Sequence, residues 1–295
     1  RWLSQEAGGD YLEFLPDGHY SANWDEQLRQ ENKKLVLKRL KNKGDVDLIW
    51  ASGTWAGQDM ATDEHDTFVL SSNATAPVLA GISRTLTDSG RDHVHIQVEA
   101  DRQERQLRIF YDIFKFKRLG VPMDSSESGR QSLGMDIIEN MAEEMGFEIV
   151  PCVRDLDIAD QALSFKNLME CLPPLSRDSD AVFLTFNNGM QEAHMAEILA
   201  PIIEYKRPSF SQLGPVETSL GVLMSLGQEN YEASGEFQAG VVEAILNGRK
   251  PREIDQIFNS PLTMALNLAM ARAIDWEPPF DLLVTMDEIY QDLVQ

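Results

Sequence analysis

At 295 residues the chain exceeds what one compact core usually holds, so two lobes of roughly 100–150 residues each are expected. Hydrophobic residues make up 43% and charged residues 25%, an ordinary globular composition that excludes a long disordered segment. A formal charge of −22 repels a phosphate backbone or an anionic membrane surface, which argues against nucleic acid as a partner.

Taken in chain order, the opening Arg1-Trp2-Leu3 has neither Met nor a signal-peptide pattern and reads as a trimmed product. Arg1–Ala7 reads as the tail of a helix, so a first strand and its loop are expected to be missing upstream. Tyr11–Leu15 reads as a strand ending in the turn Pro16-Asp17-Gly18. Asp25 to Lys43 then forms a long polar helix with Leu28, Leu35, Val36 and Leu40 inward. Val46–Trp50 is a buried strand, followed by the loop Ala51-Ser52-Gly53-Thr54-Trp55; Thr67–Leu70 is a further strand, leading into Ser71-Ser72-Asn73-Ala74. The segment from about Pro77 to Arg91, interrupted by two glycines, reads as a crossover.

A second alternating series follows. Helix Arg102–Phe116 precedes the strand Arg118–Pro122, the loop Asp124–Gly129 and a helix through Met145 closed by Gly146. Phe147–Val150, a helix around Leu163–Leu172, the strand Ala181–Thr185, the loop Phe186–Gly189 and a helix to Tyr205 complete it. Such a series predicts an α/β chain of two doubly wound, Rossmann-like lobes facing each other across a cleft, with a ligand held on loops at the carboxyl ends of the strands. The expected division is residues 1–83 with about 225–255 in one lobe, and 84–224 with about 256–295 in the other.

Those loops supply the candidate ligand-binding residues. Ser52, Gly53 and Thr54 offer backbone N–H groups and a hydroxyl to a carboxylate, or they form a tight turn and a helix cap. Ser125, Ser126 and Glu127 offer hydroxyls and a carboxylate to an ammonium group, and they equally resemble an N-terminal cap. Trp55 and Phe186 follow strand ends on opposite lobes and could sandwich a flat apolar ligand, or serve as packing. Asn187, Asn188 and Asn73 present amides but also suit plain turns.

Other chemistry is not assembled by these residues. His93 and His95 alternate on a strand without further ligands at metal spacing and read as surface residues. GxSxG, P-loop and GxGxxG motifs are absent, so neither catalysis nor a cofactor is expected. No window reaches the roughly 18 apolar residues of a membrane span, so direct insertion is not expected either. Cys152 and Cys171 read as one bridge or as two inert thiols.

The C-terminal third carries the most specific pattern. Leu220-Gly221-Val222-Leu223-Met224 and Gly227-Gln228-Glu229-Asn230-Tyr231 are followed by Gly235, by Ile245-Leu246-Asn247-Gly248-Arg249-Lys250-Pro251, and by Asn267-Leu268-Ala269-Met270-Ala271. This order resembles the ABC-transporter substrate-binding family that includes tryptophan-binding receptors. Val46–Thr54 is similar to its "vDlIvaxGT", and Asp180–Leu184 to its "vDAlfv". The resemblance implies a type I periplasmic-binding-protein fold without its first strand, and capture of a small amino-acid-like or aromatic solute. It also implies delivery to an ABC permease by a monomer at the periplasmic or extracellular face, free or lipid-anchored. It places Gly221, Gln228 and Tyr231 on a returning crossover, where they line the cleft or form the hinge. Trp55 stands where the family has a small residue, and Thr185-Phe186-Asn187 where it has "TDN", which bears on the ligand's identity. The rival expectation is a ligand-sensing receptor ectodomain of the same fold.

Overall fold

The structure, a computed structural model, describes residues 11–99, 101–228 and 231–293. The expected helix tail at Arg1–Ala7 lies outside the described residues. Tyr11–Leu15 does not join a sheet: Tyr11 is 83% exposed, and Phe14 alone reaches an aromatic neighbour, the Trp50 ring at 6.3 Å. Its apolar side chains have no sheet face to bury against, and a strand without a ladder is not stable. Helix α1 (Glu26–Asn42) starts at Asp25, whose carboxylate accepts from Leu28 N–H at 2.9 Å. Its inward stripe differs from expectation. Leu35 is 55% exposed, whereas Arg39 is buried between Asp17 and Asp45, whose carboxylates neutralise it.

Strand β1 (Leu48–Ser52) runs into helix α2 (Thr54–Met60), and β2 (Phe68–Ser72) and β3 (Val94–Ile96) complete a parallel sheet of order β1-β2-β3. The Pro77–Arg91 segment joins β2 to β3 within this sheet, and the chain leaves it after Ile96.

The rest builds a seven-stranded sheet. Helix α3 (Arg102–Phe114) and β4 (Arg118–Asp124) are followed by α4 (Glu127–Leu133) and α5 (Met135–Met145), where one continuous helix was expected. The break is Gly134, at φ 68°, packed so that an added Cβ would lie 2.2 Å from Gln103 Oε1. Strand β5 (Glu148–Arg154) precedes α6 (Gln161–Asp178), which continues through Pro173 and Pro174 because Leu172 and Leu175 are buried in the core. Burial of those leucines outweighs the proline penalty. The bridge Cys152–Cys171 ties β5 to α6 with a Cα–Cα separation of 5.5 Å.

Strand β6 (Ala181–Leu184), helix α7 (Met195–Glu204), β7 (Ser209–Ser211), α8 (Pro215–Ser219) and β8 (Met224–Gly227) come next. Helix α9 (Glu232–Leu246) returns to the first sheet, where Val241 and Ile245 pack with Leu70. Val98 and Ile257 then form an isolated bridge before β9 (Thr263–Asn267), α10 (Leu268–Ala273), α11 (Phe280–Leu283) and β10 (Glu288–Tyr290) close the second sheet. Its order is β10-β9-β8-β7-β6-β4-β5, antiparallel between β8 and β9 and parallel at every other pairing. Phe110, Phe183 and Phe210 centre its core, with Phe210 5.2 Å from Phe110 and 5.8 Å from Phe183.

Candidate functional site

The parallel strands of each sheet send their carboxyl ends into loops, and those loops carry most of the residues picked from the sequence. On the first sheet, Gly53 adopts φ 92° and its N–H donates to Ser72 O at 2.8 Å, locking the ends of β1 and β2 together. Asn73, itself at φ 55°, donates its amide to Ser52 Oγ at 3.2 Å, so two exposed polar side chains stand side by side. Thr54 is buried and spends its hydroxyl on Thr75 N–H at 3.1 Å. Trp55 is half-buried beneath the Arg29 guanidinium, 4.9 Å from the ring, and its buried indole N–H has no acceptor.

On the second sheet the organiser is Asp124, buried at the end of β4. Its Oδ1 accepts from the N–H and hydroxyl of Ser126 at 2.8 and 2.6 Å, and its Oδ2 from Leu156 and Asp157 N–H at 2.8 and 2.7 Å. Ser126 caps α4 by accepting from Gly129 N–H at 3.0 Å, and Ser125 bonds to Asp155. Glu127 stands exposed in the first turn of α4. Burial, reinforced by Asp124, pushes the Asp157 carboxyl up to about 7, and its Oδ1 is buried without a donor.

The loop after β6 turns inward. Asn187 closes on itself: its amide donates to Thr185 O at 2.9 Å and its Oδ1 accepts from Gly189 N–H at 3.1 Å. Phe186 packs against the core of the second sheet while its N–H donates to Gln212 Oε1 at 3.0 Å. Gln212 in turn donates to Leu133 O at 2.9 Å and thereby ties β7 to α4. Gly221 lies apart from these groups, at the amino end of β8, where an added Cβ would lie 2.6 Å from Leu199 Cδ1.

The helices that follow the β1 and β4 loops meet, α2 packing on α4. Gln58 Nε2 donates to Gln131 Oε1 at 3.1 Å, joining the two sheets' helices at one seam. Ser52, Gly53, Thr54, Trp55 and Asn73 thus lie on one side of the seam, and Ser125, Ser126 and Glu127 on the other. Asp124, Asp157, Gln58 and Gln131 were not picked out from the sequence. For the first, the one local signal is an Asp directly before the Ser125-Ser126 pair.

His95, expected at the surface, is fully buried in β3. Its Nε2 lies 3.0 Å from Asp255 O, and burial pushes its pKa down. Among the described residues no group of three or more His, Cys, Asp or Glu is placed to hold a metal, and no helix is long and apolar enough to cross a membrane.

Comparison with known proteins points the same way as the geometry. The family model described as "ABC transporter substrate binding protein" matches residues 17–289. Comparison with curated protein sequences finds no match. Among solved structures, a conserved domain protein from Vibrio cholerae aligns with a TM-score of 0.69 at 18% identity, covering 88% of this chain and 84% of that one. An ABC domain in complex with L-Trp from Streptococcus pneumonia aligns at 0.67 with 17% identity, covering 88% and 86%. A ligand-free, open substrate-binding protein with adhesive properties from Clostridium difficile aligns at 0.62 with 20% identity, covering 90% and 84%. At these identities the likeness establishes the mixed α/β fold with its parallel sheets.

Proposed function

Because the chain belongs to the ABC transporter substrate-binding protein family, we propose that it closes two lobes on a small amino-acid-like solute with an apolar or aromatic side chain and delivers it to an ABC importer. One lobe is built on the three-stranded sheet with α9, the other on the seven-stranded sheet; the hinge takes in the described residues 97–99 after β3, Gln228 after β8 and 257–262 before β9. The observation that carries this reading is the seam itself. Helices that follow parallel strands of two separate sheets, β1 and β4, pack together there, and the loops at their amino ends carry the exposed Ser52 on one side and Ser125, Ser126 and Glu127 on the other.

A zwitterion matches these groups. Hydroxyls, an amide and the Trp55 indole N–H suit a carboxylate, and Glu127 and Asp157 suit an ammonium. The Streptococcus relative's complex with L-Trp makes tryptophan the first solute to test. A disulfide between Cys152 and Cys171 suits an oxidising, extracytoplasmic compartment.

Isothermal titration and thermal shift over the twenty amino acids, nucleobases and small carboxylates test the reading. A bound amino acid that raises the unfolding midpoint and is recovered unchanged is the expected result. Silence from every amino acid removes that solute class, and turnover of any compound removes the non-catalytic reading.

A further inference from the structure

Gln58 and Gln131 meet across the gap between the two sheets, and the surrounding bonds leave the pair one way to orient. Gln58 Oε1 accepts from Arg29 Nη2 at 3.1 Å, so its amide nitrogen is the atom that turns to Ala80 O and to Gln131 Oε1, each at 3.1 Å. A flipped amide would set Nε2 against a guanidinium. Arg29 is itself fixed: Nε and Nη2 donate to the two Asp59 oxygens at 2.8 and 3.0 Å, and its guanidinium lies over Trp55.

The bond sits away from the connecting segments. Helix α2 follows β1, two strands from β3, where the chain leaves the first sheet. Helix α4 follows β4, three strands from β8, where the chain leaves the second. At about 4.8 Å per strand the amides lie on the order of 10 Å from the hinge. A rotation of about 30° about those segments parts them by about 5 Å, beyond hydrogen-bond reach.

We propose that the Gln58–Gln131 pair, held in register by Arg29, is a latch made only when the lobes are shut, biasing the ligand-free protein toward closure. The inference rests on the two-lobed reading above. One hydrogen bond of this kind shifts a two-state population by about two- to ten-fold. Removing it therefore leaves the binding groups intact and lowers the fraction of molecules poised to use them.

Distance measurement between spin labels in the intact, ligand-free chain tests the latch. Lys38→Cys on α1 and Glu143→Cys on α5 are exposed label sites, and the native cysteines are bridged and stay silent. Gln131→Met, of similar length without the amide, is expected to shift the distribution toward the longer distance by about two- to ten-fold. Gln58→Met should do the same, and the double variant no more than either. Gln131→Glu keeps the accepting oxygen and should retain the short distance. Wild-type populations that persist in Gln131→Met, with an unchanged thermal midpoint, overturn the latch and leave the proposed function standing. A single distance common to wild type and all variants overturns the latch and the hinge together.

Discussion

The backbone N–H of Asp157 donates to Oδ2 of Asp124 at 2.7 Å, a bond that brings one carboxyl up against another that also holds three other donors. The two carboxyls have different hydrogen-bond surroundings. Asp124 is buried at the centre of a set of N–H and O–H groups, whereas Asp157 has a buried oxygen with no donor and is pushed up to about 7 by burial and then by Asp124.

The first prediction follows from that asymmetry. Below the ordinary value of 3.8, native and unfolded chains both carry the Asp157 proton. Between there and about 7 the unfolded chain releases it while the native state keeps it, so stability falls as pH rises through this window and levels off above it. Asp157→Asn removes the penalty. It should be more stable than wild type at pH 8 by about 1–2 kcal/mol, discounted for partial exposure, and equal to it at pH 4. Urea unfolding at the two pH values checks this, and a difference that does not grow with pH contradicts it.

Asp124→Ala acts in the other direction. It strands two N–H groups on the β5–α6 loop, and an N–H and a hydroxyl on the β4–α4 loop. Loss of a buried, multiply bonded carboxylate costs about 3–5 kcal/mol. Hydrogen exchange should rise first in residues 125–134 and 155–160, and uniform exchange across the second sheet would argue against a local anchor.

These two residues also show where sequence reading stops. Strands β1, β2, β4 and β6 were visible because each is a short apolar run before a turn, a signal contained within a few residues. Strand β7, the three residues Ser209–Ser211, has no such period and forms only because β6 and β8 flank it. Ser52 and Asn73 are candidates on position alone, because loops at strand ends are where open α/β sheets hold ligands. That Asp124 reaches Leu156 and Asp157, 32 and 33 residues on, or that Gln58 reaches Gln131, 73 residues on, is a product of packing, which no local pattern encodes. Arg39 makes the same point, since its burial depends on Asp17 and Asp45 lying beyond the two ends of its helix.

The Cys152–Cys171 bridge closes a loop of sequence separation 19 and fastens β5, the last strand of the second sheet, to α6. Constraining a loop of that length in the unfolded chain is worth about 2–4 kcal/mol. Reduction with dithiothreitol should lower stability by that amount in denaturant titration, with Cys152→Ser/Cys171→Ser giving the same loss and no further response to reductant. Equal midpoints for oxidised and reduced protein would show that the bridge contributes nothing beyond packing.

Trp55 separates two roles that one substitution usually confounds. Its ring lies under the Arg29 guanidinium, and its indole N–H is buried without an acceptor, an arrangement that costs the ligand-free fold. Trp55→Phe keeps an aromatic face for Arg29 and removes the donor, so it should leave ligand-free stability unchanged or raise it by about 1 kcal/mol. If the solute's carboxylate takes that N–H, the same variant binds it about 1–3 kcal/mol more weakly, while Trp55→Ala loses both the stability and the affinity. Glu127→Ala, exposed on the other side of the seam, should cost affinity of the same order with no change in stability. Titration of each variant with the solute found for the wild type decides the matter: undiminished affinity in Trp55→Phe assigns Trp55 to packing alone, and undiminished affinity in Glu127→Ala moves the ammonium's partner to Asp157.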